Sequence, residues 1–260
     1  MLTSDLKRSL KKFQLINYFS ITYLKSQYQR TLIGPWWETI SLSIFLFFLS
    51  IIWARVMKED LNTYLPYLVS SLIVWRFIAS VVGQGTVVFI KSSELIKSFK
   101  INLSTLAAIK VYDKCLIFLH HLPIIIFFNL YFKVDVLNKS FLLLLYTVPI
   151  FLITSYSVCI ILAFLNTRFR DLQSFISMTL SVMIFFTPIL WKADSIGPKA
   201  NFFIVQPNIF YHYLEIIRMP INGQSPQVLS IILTTIFAFT SFVTSQYLIK
   251  KYSSRVPLWL

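Results

Sequence analysis

Arg76 is the only charged residue in the thirty positions between Asp60 and Lys91. A charge held in apolar surroundings costs at least about 2.5 to 3.5 kcal/mol on membrane-insertion scales, so such a side chain must face protein or water. Two kinds of chemistry fit it: contact with an anionic or hydroxyl-rich substrate, or a structural bond to a carbonyl or polar side chain. Gln84, about two turns further along a helix, extends the same polar stripe.

Other residues able to carry chemistry are sparse. The five glycines, at positions 34, 83, 85, 197 and 223, form no GxxxxGK pattern, so ATP-driven work requires a partner. His120 and His121 are adjacent and diverge by about 100° on a helix, and His212 stands alone. No metal or catalytic site is expected of them; they read as interfacial or packing residues. Cys115 and Cys159 both fall in apolar runs and read as packing residues, not as a disulfide or metal framework. Only Glu59 and Asp60 are neighbouring acids, beside Lys58 on a short loop, which gives no sign of the perturbed pair that acid and base catalysis needs.

The elements that must position these residues are apolar. Mean hydropathy is +0.71, with 57% hydrophobic and 13% charged residues, against about 25% charged in a typical soluble domain. The runs 39–54, 115–132, 140–167, 172–191 and 228–249 hold no Asp, Glu, Lys or Arg. With the Arg76 segment they predict an all-α polytopic membrane protein of six transmembrane helices, each near the 20 residues a bilayer requires, about 17 to 25 in practice. No short apolar stretch with a small-residue cleavage site precedes the first span, which is expected to be its own insertion signal.

A net charge of +14 does not point to nucleic acid, because the basic residues lie between the spans. With the N-terminus in the cytoplasm, 16 Lys and Arg fall inside and 7 outside. The positive-inside rule then puts both termini in the cytoplasm.

One domain spans 1–260. Within 1–33, Leu6, Leu10, Phe13, Ile16, Phe19 and Tyr23 recur at helical spacing apart from Lys7, Arg8, Lys11 and Lys12, predicting an amphipathic interface helix. Gly34-Pro35 breaks the chain before Trp36 and Trp37, an aromatic pair suited to the headgroup level. Residues 91–102 predict a second cytoplasmic helix in which Leu95, Ile96 and Phe99 sit among Lys91, Glu94, Lys97 and Lys100, a surface on which something docks. The segment 192–225 holds Pro198, Pro207, Pro220 and Pro226 around an apolar stretch from Ile209 to Met219. It is too apolar for a loop and too interrupted by His212, Glu215 and Arg218 for a span. It predicts one or two short helices dipping into the outer leaflet, where protein covers the broken ends. Aromatics form 17% of the chain; an aromatic-lined passage suits the CH faces of sugar rings.

Several stretches resemble the membrane subunit of ABC-2 type polysaccharide exporters, the permeases for O-antigen, capsule and teichoic-acid chains. They are Tyr28-Gln29-Arg30-Thr31-Leu32-Ile33-Gly34-Pro35-Trp36-Trp37, Arg168-Phe169-Arg170-Asp171-Leu172, Phe185-Phe186-Thr187-Pro188-Ile189-Leu190-Trp191, Gln206-Pro207-Asn208 and Glu215-Ile216-Ile217-Arg218. None is catalytic; their order on a six-span plan carries the match. The resemblance implies two copies around a wide channel in the bacterial inner membrane, above two ABC ATPase subunits that bind ATP and Mg, this chain binding no cofactor of its own. It implies ATPase docking through the N-terminal helix and Leu95, Ile96, Lys97, Phe99 and Lys100. It makes 192–225 an outer gate with Phe210, Tyr211, Glu215 and Arg218, and the substrate an undecaprenyl pyrophosphate-linked glycan, O-antigen foremost. Lys25 and Arg30, at the inner headgroup level, are then first contacts for the diphosphate, and Trp36, Trp37, Arg76 and Gln84 belong to the substrate pathway. Export of a drug or small lipid, or an intramembrane glycan-modifying enzyme, are the alternatives.

Overall fold

A computed structural model describes residues 13–29, 31–34, 36–57, 60–99, 101–135 and 138–260, and among these all regular structure is helical. The charges at Lys7, Arg8, Lys11, Lys12, Arg30, Lys58, Glu59 and Lys100 lie outside the described residues. The helices are α1 (Phe13–Gln27), α2 (Trp36–Met57), α3 (Leu61–Gly85), α4 (Ser93–Phe99), α5 (Leu103–Tyr131), α6 (Leu144–Arg168), α7 (Leu172–Phe186), α8 (Ile209–Ile221) and α9 (Val228–Tyr252), with one-turn pieces between some of them.

Among the described residues five helical stretches are long and apolar enough to cross a membrane: Trp36–Trp53, Leu61–Gly85, Leu103–Tyr131, Lys139–Arg168 and Val228–Trp259. The sixth expected span is shorter than the run 172–191 suggested. α7 stops at Phe186 after 15 residues, about 22 Å at 1.5 Å per residue, against a hydrocarbon core of about 30 Å. The cause is local. Pro188 disfavours helical geometry at the residue before it, and Thr187 is extended at φ −87°, ψ 140°. Within the expected helix at 91–102 the structure forms α4, from Ser93 to Phe99, preceded by a separate single turn Val88–Lys91.

α3 is the centre of the bundle, packed between α5 and α6 and buried along most of its length. Asp60 caps it, its carboxylate accepting the Asn62 backbone N–H. Near its other end Gly85 lets the backbones of α3 and α6 meet: an added Cβ would lie 3.1 Å from the Cys159 Cα. α6 and α9 pair closely. Large apolar side chains such as Phe47, Phe48, Phe127, Leu145 and Phe239 point outward, as a lipid solvent requires and water would not permit over so many positions.

One end of the bundle is basic, carrying Lys91, Lys97, Arg168, Lys250 and Lys251. Asn166 ties it together, donating to the Thr86 carbonyl at 3.0 Å and accepting the Gln173 N–H at 3.0 Å. α1 lies along α5 there: Ser20 donates to the Ile109 carbonyl at 3.1 Å, and Tyr112 donates to the Asn17 side chain at 3.1 Å.

At the far end the backbone after α7 is not helical, and its carbonyls need donors. α3 supplies them. The Tyr64 hydroxyl donates to the Leu190 carbonyl at 2.6 Å, and the Tyr67 hydroxyl lies 2.8 Å from the carbonyls of both Pro188 and Trp191. The turn after α8 is pinned by Asn138 donating to the Gly223 carbonyl and by Asn222 donating to Ser70 at 2.8 Å. Gly223 has φ +72°, and a Cβ there would sit 2.0 Å from the Asp135 carbonyl oxygen, so only glycine fits.

Candidate functional site

Two groups of polar residues stand out within the apolar bundle. The first surrounds Arg76. Arg76 leaves α3 about nine residues before its basic end, roughly 14 Å along the axis, and is exposed, bordering an open cleft of about 370 Å³. Glu38 from α2, Ser80 and Gln84 from α3, and Lys114, Phe118 and His121 from α5 help line it, and Ile184 of α7 closes one side. The sequence paired Arg76 with Gln84, and both face this cleft. Lys114 and His121 were not foreseen as its neighbours. The signal was present in Lys110, Asp113 and Lys114, spaced to present three charges on neighbouring faces of one helix.

The charges here are incompletely matched. Lys114 is 4% exposed, and its ammonium lies 3.3 Å from Asp113 Oδ2, which Lys110 shares at 3.4 Å. Among the described residues Asp113 Oδ1 has no partner, nor has the buried His121 Nε2. Among the described residues no ion pair or hydrogen bond reaches Arg76. Glu38, the single carboxylate among the described residues that line the cleft, accepts the Tyr28 hydroxyl at 2.9 Å. Burial, and then that contact with Glu38, push Tyr28 up to about 12, so it remains a neutral donor at all physiological pH.

Gln84 also lines a second hollow of about 240 Å³ at the basic end, with Tyr23, Lys91, Leu95, Lys110 and Asp113. Lys110 lies 3.5 Å from the Gln84 Oε1 and 4.6 Å above the Tyr23 ring. A line of cations thus leads from the basic end towards Arg76. Of the other expected pathway residues, Lys25 is exposed on the last turn of α1. Trp36 and Trp37 are half exposed at the start of α2, and the Trp36 ring meets His120 edge-on at 5.5 Å.

Of the residues expected to dock a partner, Phe99 is 73% exposed and Lys97 is exposed, Leu95 is half-buried, and Ile96 is buried in this chain's own core. The surface on offer is therefore Lys97 and Phe99, while Ile96 holds α4 against the bundle.

The second polar group lies around α8. Asn208 caps the helix, accepting the Phe210 N–H at 3.0 Å, and donates to Thr187 at 2.9 Å. Tyr211, Glu215 and Arg218 of the expected gate are buried, and Phe210 is half-buried with its ring edge-on to Trp75 at 5.6 Å. Arg218 Nη1 donates to the Pro188 carbonyl at 2.8 Å and to Ser71 at 3.0 Å, and the guanidinium lies 4.3 Å over the Tyr67 ring. It therefore helps satisfy the broken backbone after α7. Glu215 accepts the Gln227 N–H at 3.1 Å and is bonded to Ser230, whose oxygen lies 2.8 Å from His212 Nδ1. His212 Nε2 is 2.8 Å from the Gln206 carbonyl. That carbonyl only accepts, so Nε2 carries a hydrogen. Ser230 is wholly buried between Glu215 and His212, which makes it a relay in a structural chain and not an available nucleophile.

Comparison with known proteins covers both groups. The family model described as ABC-2 type transporter matches residues 15–222, from α1 through α8. A Klebsiella pneumoniae protein named O-antigen export system permease protein RfbA is 27% identical over 233 residues, 88% of each chain. A second Klebsiella pneumoniae protein of that name is 26% identical over 196 residues, 74% of each chain. A Myxococcus xanthus protein of the same name is 21% identical over 179 residues, 68% of each chain. With its apolar helices and a match over most of its length, the chain is a membrane protein and belongs to the ABC-2 type transporter family.

Proposed function

We propose that the chain is the membrane subunit of an ATP-driven exporter of a lipid-linked polysaccharide, O-antigen as in the names of its Klebsiella pneumoniae relatives, across the bacterial inner membrane. The family implies an ABC ATPase as partner, which supplies ATP hydrolysis and its Mg while this chain supplies pathway and coupling. The basic end faces the cytoplasm with both termini, as the positive-inside rule favours.

The observation that carries this reading is α7. None of its residues is buried, yet it borders the Arg76 cleft through Ile184. An apolar helix left bare beside a polar cleft suits a passage completed by a second copy. α7 then serves as the sixth span, joined to the outer leaflet by 192–225, whose short helices form the outer gate. Lys25 and Arg30 meet the carrier diphosphate at the inner headgroups, and the glycan passes Trp36, Trp37, Arg76 and Gln84. The ATPase docks on the exposed face of α4, through Lys97 and Phe99, and on α1. Its closure moves both as levers, with no covalent bond broken in this chain.

The test is deletion of the gene in its native host, with surface polysaccharide and lipid-linked glycan on the cytoplasmic side both quantified. Loss outside with accumulation inside supports the reading. Unchanged levels of both reject it in favour of a drug or small-lipid exporter.

A further inference from the structure

We propose that the cleft between α2, α3 and α5 is a binding station for a phosphate or diphosphate group, held by Arg76 and Lys114 with His121 as a third polar contact. The inference rests on the export reading only for the identity of the lipid that carries the group.

Three observations lead there. Arg76 projects into a cleft of about 370 Å³ without an ion pair or hydrogen bond to any described residue. Lys114 comes from a different helix and shares a single Asp113 oxygen with Lys110, so positive charge exceeds negative around the site. His121, 97% buried by its 3% exposure, has an Nε2 with no partner among the described residues, although a buried polar atom of this kind ordinarily finds one. Cations of two types on two helices, a planar fork and a point charge, suit a ligand with oxygens on several sides. A carboxylate, planar and with two oxygens, would be satisfied by the arginine alone. Glu38, turned to the Tyr28 hydroxyl and among the described residues in no ion pair with Arg76 or Lys114, leaves Arg76 open and Lys114 with only its share of one Asp113 oxygen. Lys91 and Lys110, in the hollow that shares Gln84 with this cleft, give an anion a graded route from the basic end.

The experiment uses the full chain in phosphatidylcholine nanodiscs, titrated with undecaprenyl diphosphate, undecaprenol and inorganic pyrophosphate and read by native mass spectrometry. The diphosphate lipid is expected to bind at least about tenfold more tightly than the alcohol. Arg76→Gln and Lys114→Gln should each weaken it about tenfold, the loss of roughly one charge-assisted hydrogen bond, and Arg76→Lys should recover part. Competition by pyrophosphate supports the site and shows that it takes the free anion as well; lack of competition supports it and assigns it to the lipid headgroup. Equal binding of diphosphate and alcohol overturns the site, as does binding unchanged in Arg76→Gln at an unaltered melting temperature. Because Arg76 is exposed, that variant reads the site even where Lys114→Gln fails to fold. A chain that exports glycan in cells but shows no preference for the diphosphate sinks this station and leaves export standing. A chain that binds the diphosphate, in a host whose glycan is unaffected by deletion, keeps the station and sinks the export reading.

Discussion

Around α8, Glu215, His212 and Arg218 are buried, and each is hydrogen-bonded to its neighbours, although among the described residues Arg218 Nε lacks a partner. Around Arg76 the proportions are reversed. Among the described residues one cation has no partner, another divides a carboxylate with a third, and an imidazole nitrogen is bare. Both regions put ionisable groups into an apolar bundle, at a cost that only good geometry offsets. A region that meets the cost from its own residues is a latch. One that leaves it unmet in the free chain has interactions reserved for something that arrives later.

The sharpest way to break this comparison is in the latch. Glu215→Leu removes the acceptor for Ser230 and the Gln227 N–H and strands His212, and should cost about 3 to 5 kcal/mol. Detergent-unfolding curves of the purified chain measure it, and a near-neutral result would mean the network is dispensable. Arg218→Lys keeps the charge but loses the fork that spans Pro188 and Ser71, and should cost about 1.5 to 3 kcal/mol in the same assay. Tyr28→Phe releases Glu38 at the edge of the cleft for about 1 kcal/mol. It also leaves that carboxylate free to pair with Arg76, so the binding of an anion should weaken along with stability. Arg76→Gln should alter stability least, within about 0.5 kcal/mol, while export of surface polysaccharide falls. A large loss of stability with export intact would move Arg76 into the latch class and dissolve the contrast.

Much of this arrangement was legible in the residues. Arg76 drew attention because nothing charged surrounds it in the sequence, and among the described residues nothing pairs with it in space, although Glu38 and Lys114 line the same cleft. Lys114 was hidden by its place at the edge of an apolar run, where it counted as an inner-loop charge; α5 instead runs unbroken from Leu103 through it. His121 was legible only as half of an adjacent pair, since its neighbours come from α2 and α3. Glu215 and Arg218 stood out in the sequence as charges in an apolar stretch, but their partners lie at Ser230, Ser71 and Pro188. Contacts made by folding a hairpin back on a distant helix leave no periodic trace. The length of α7 was misjudged because hydropathy runs on through Trp191, whereas the backbone obeys Pro188.

The hydroxyls of Tyr64 and Tyr67 have a consequence for biosynthesis. They emerge from the ribosome more than a hundred residues ahead of the carbonyls of Pro188, Leu190 and Trp191 that they later satisfy. Non-helical backbone has no stable place against lipid alone, so the segment after α7 settles only once α3 stands beside it. Insertion order and final packing therefore agree: the early helix is a template for the segment that follows α7.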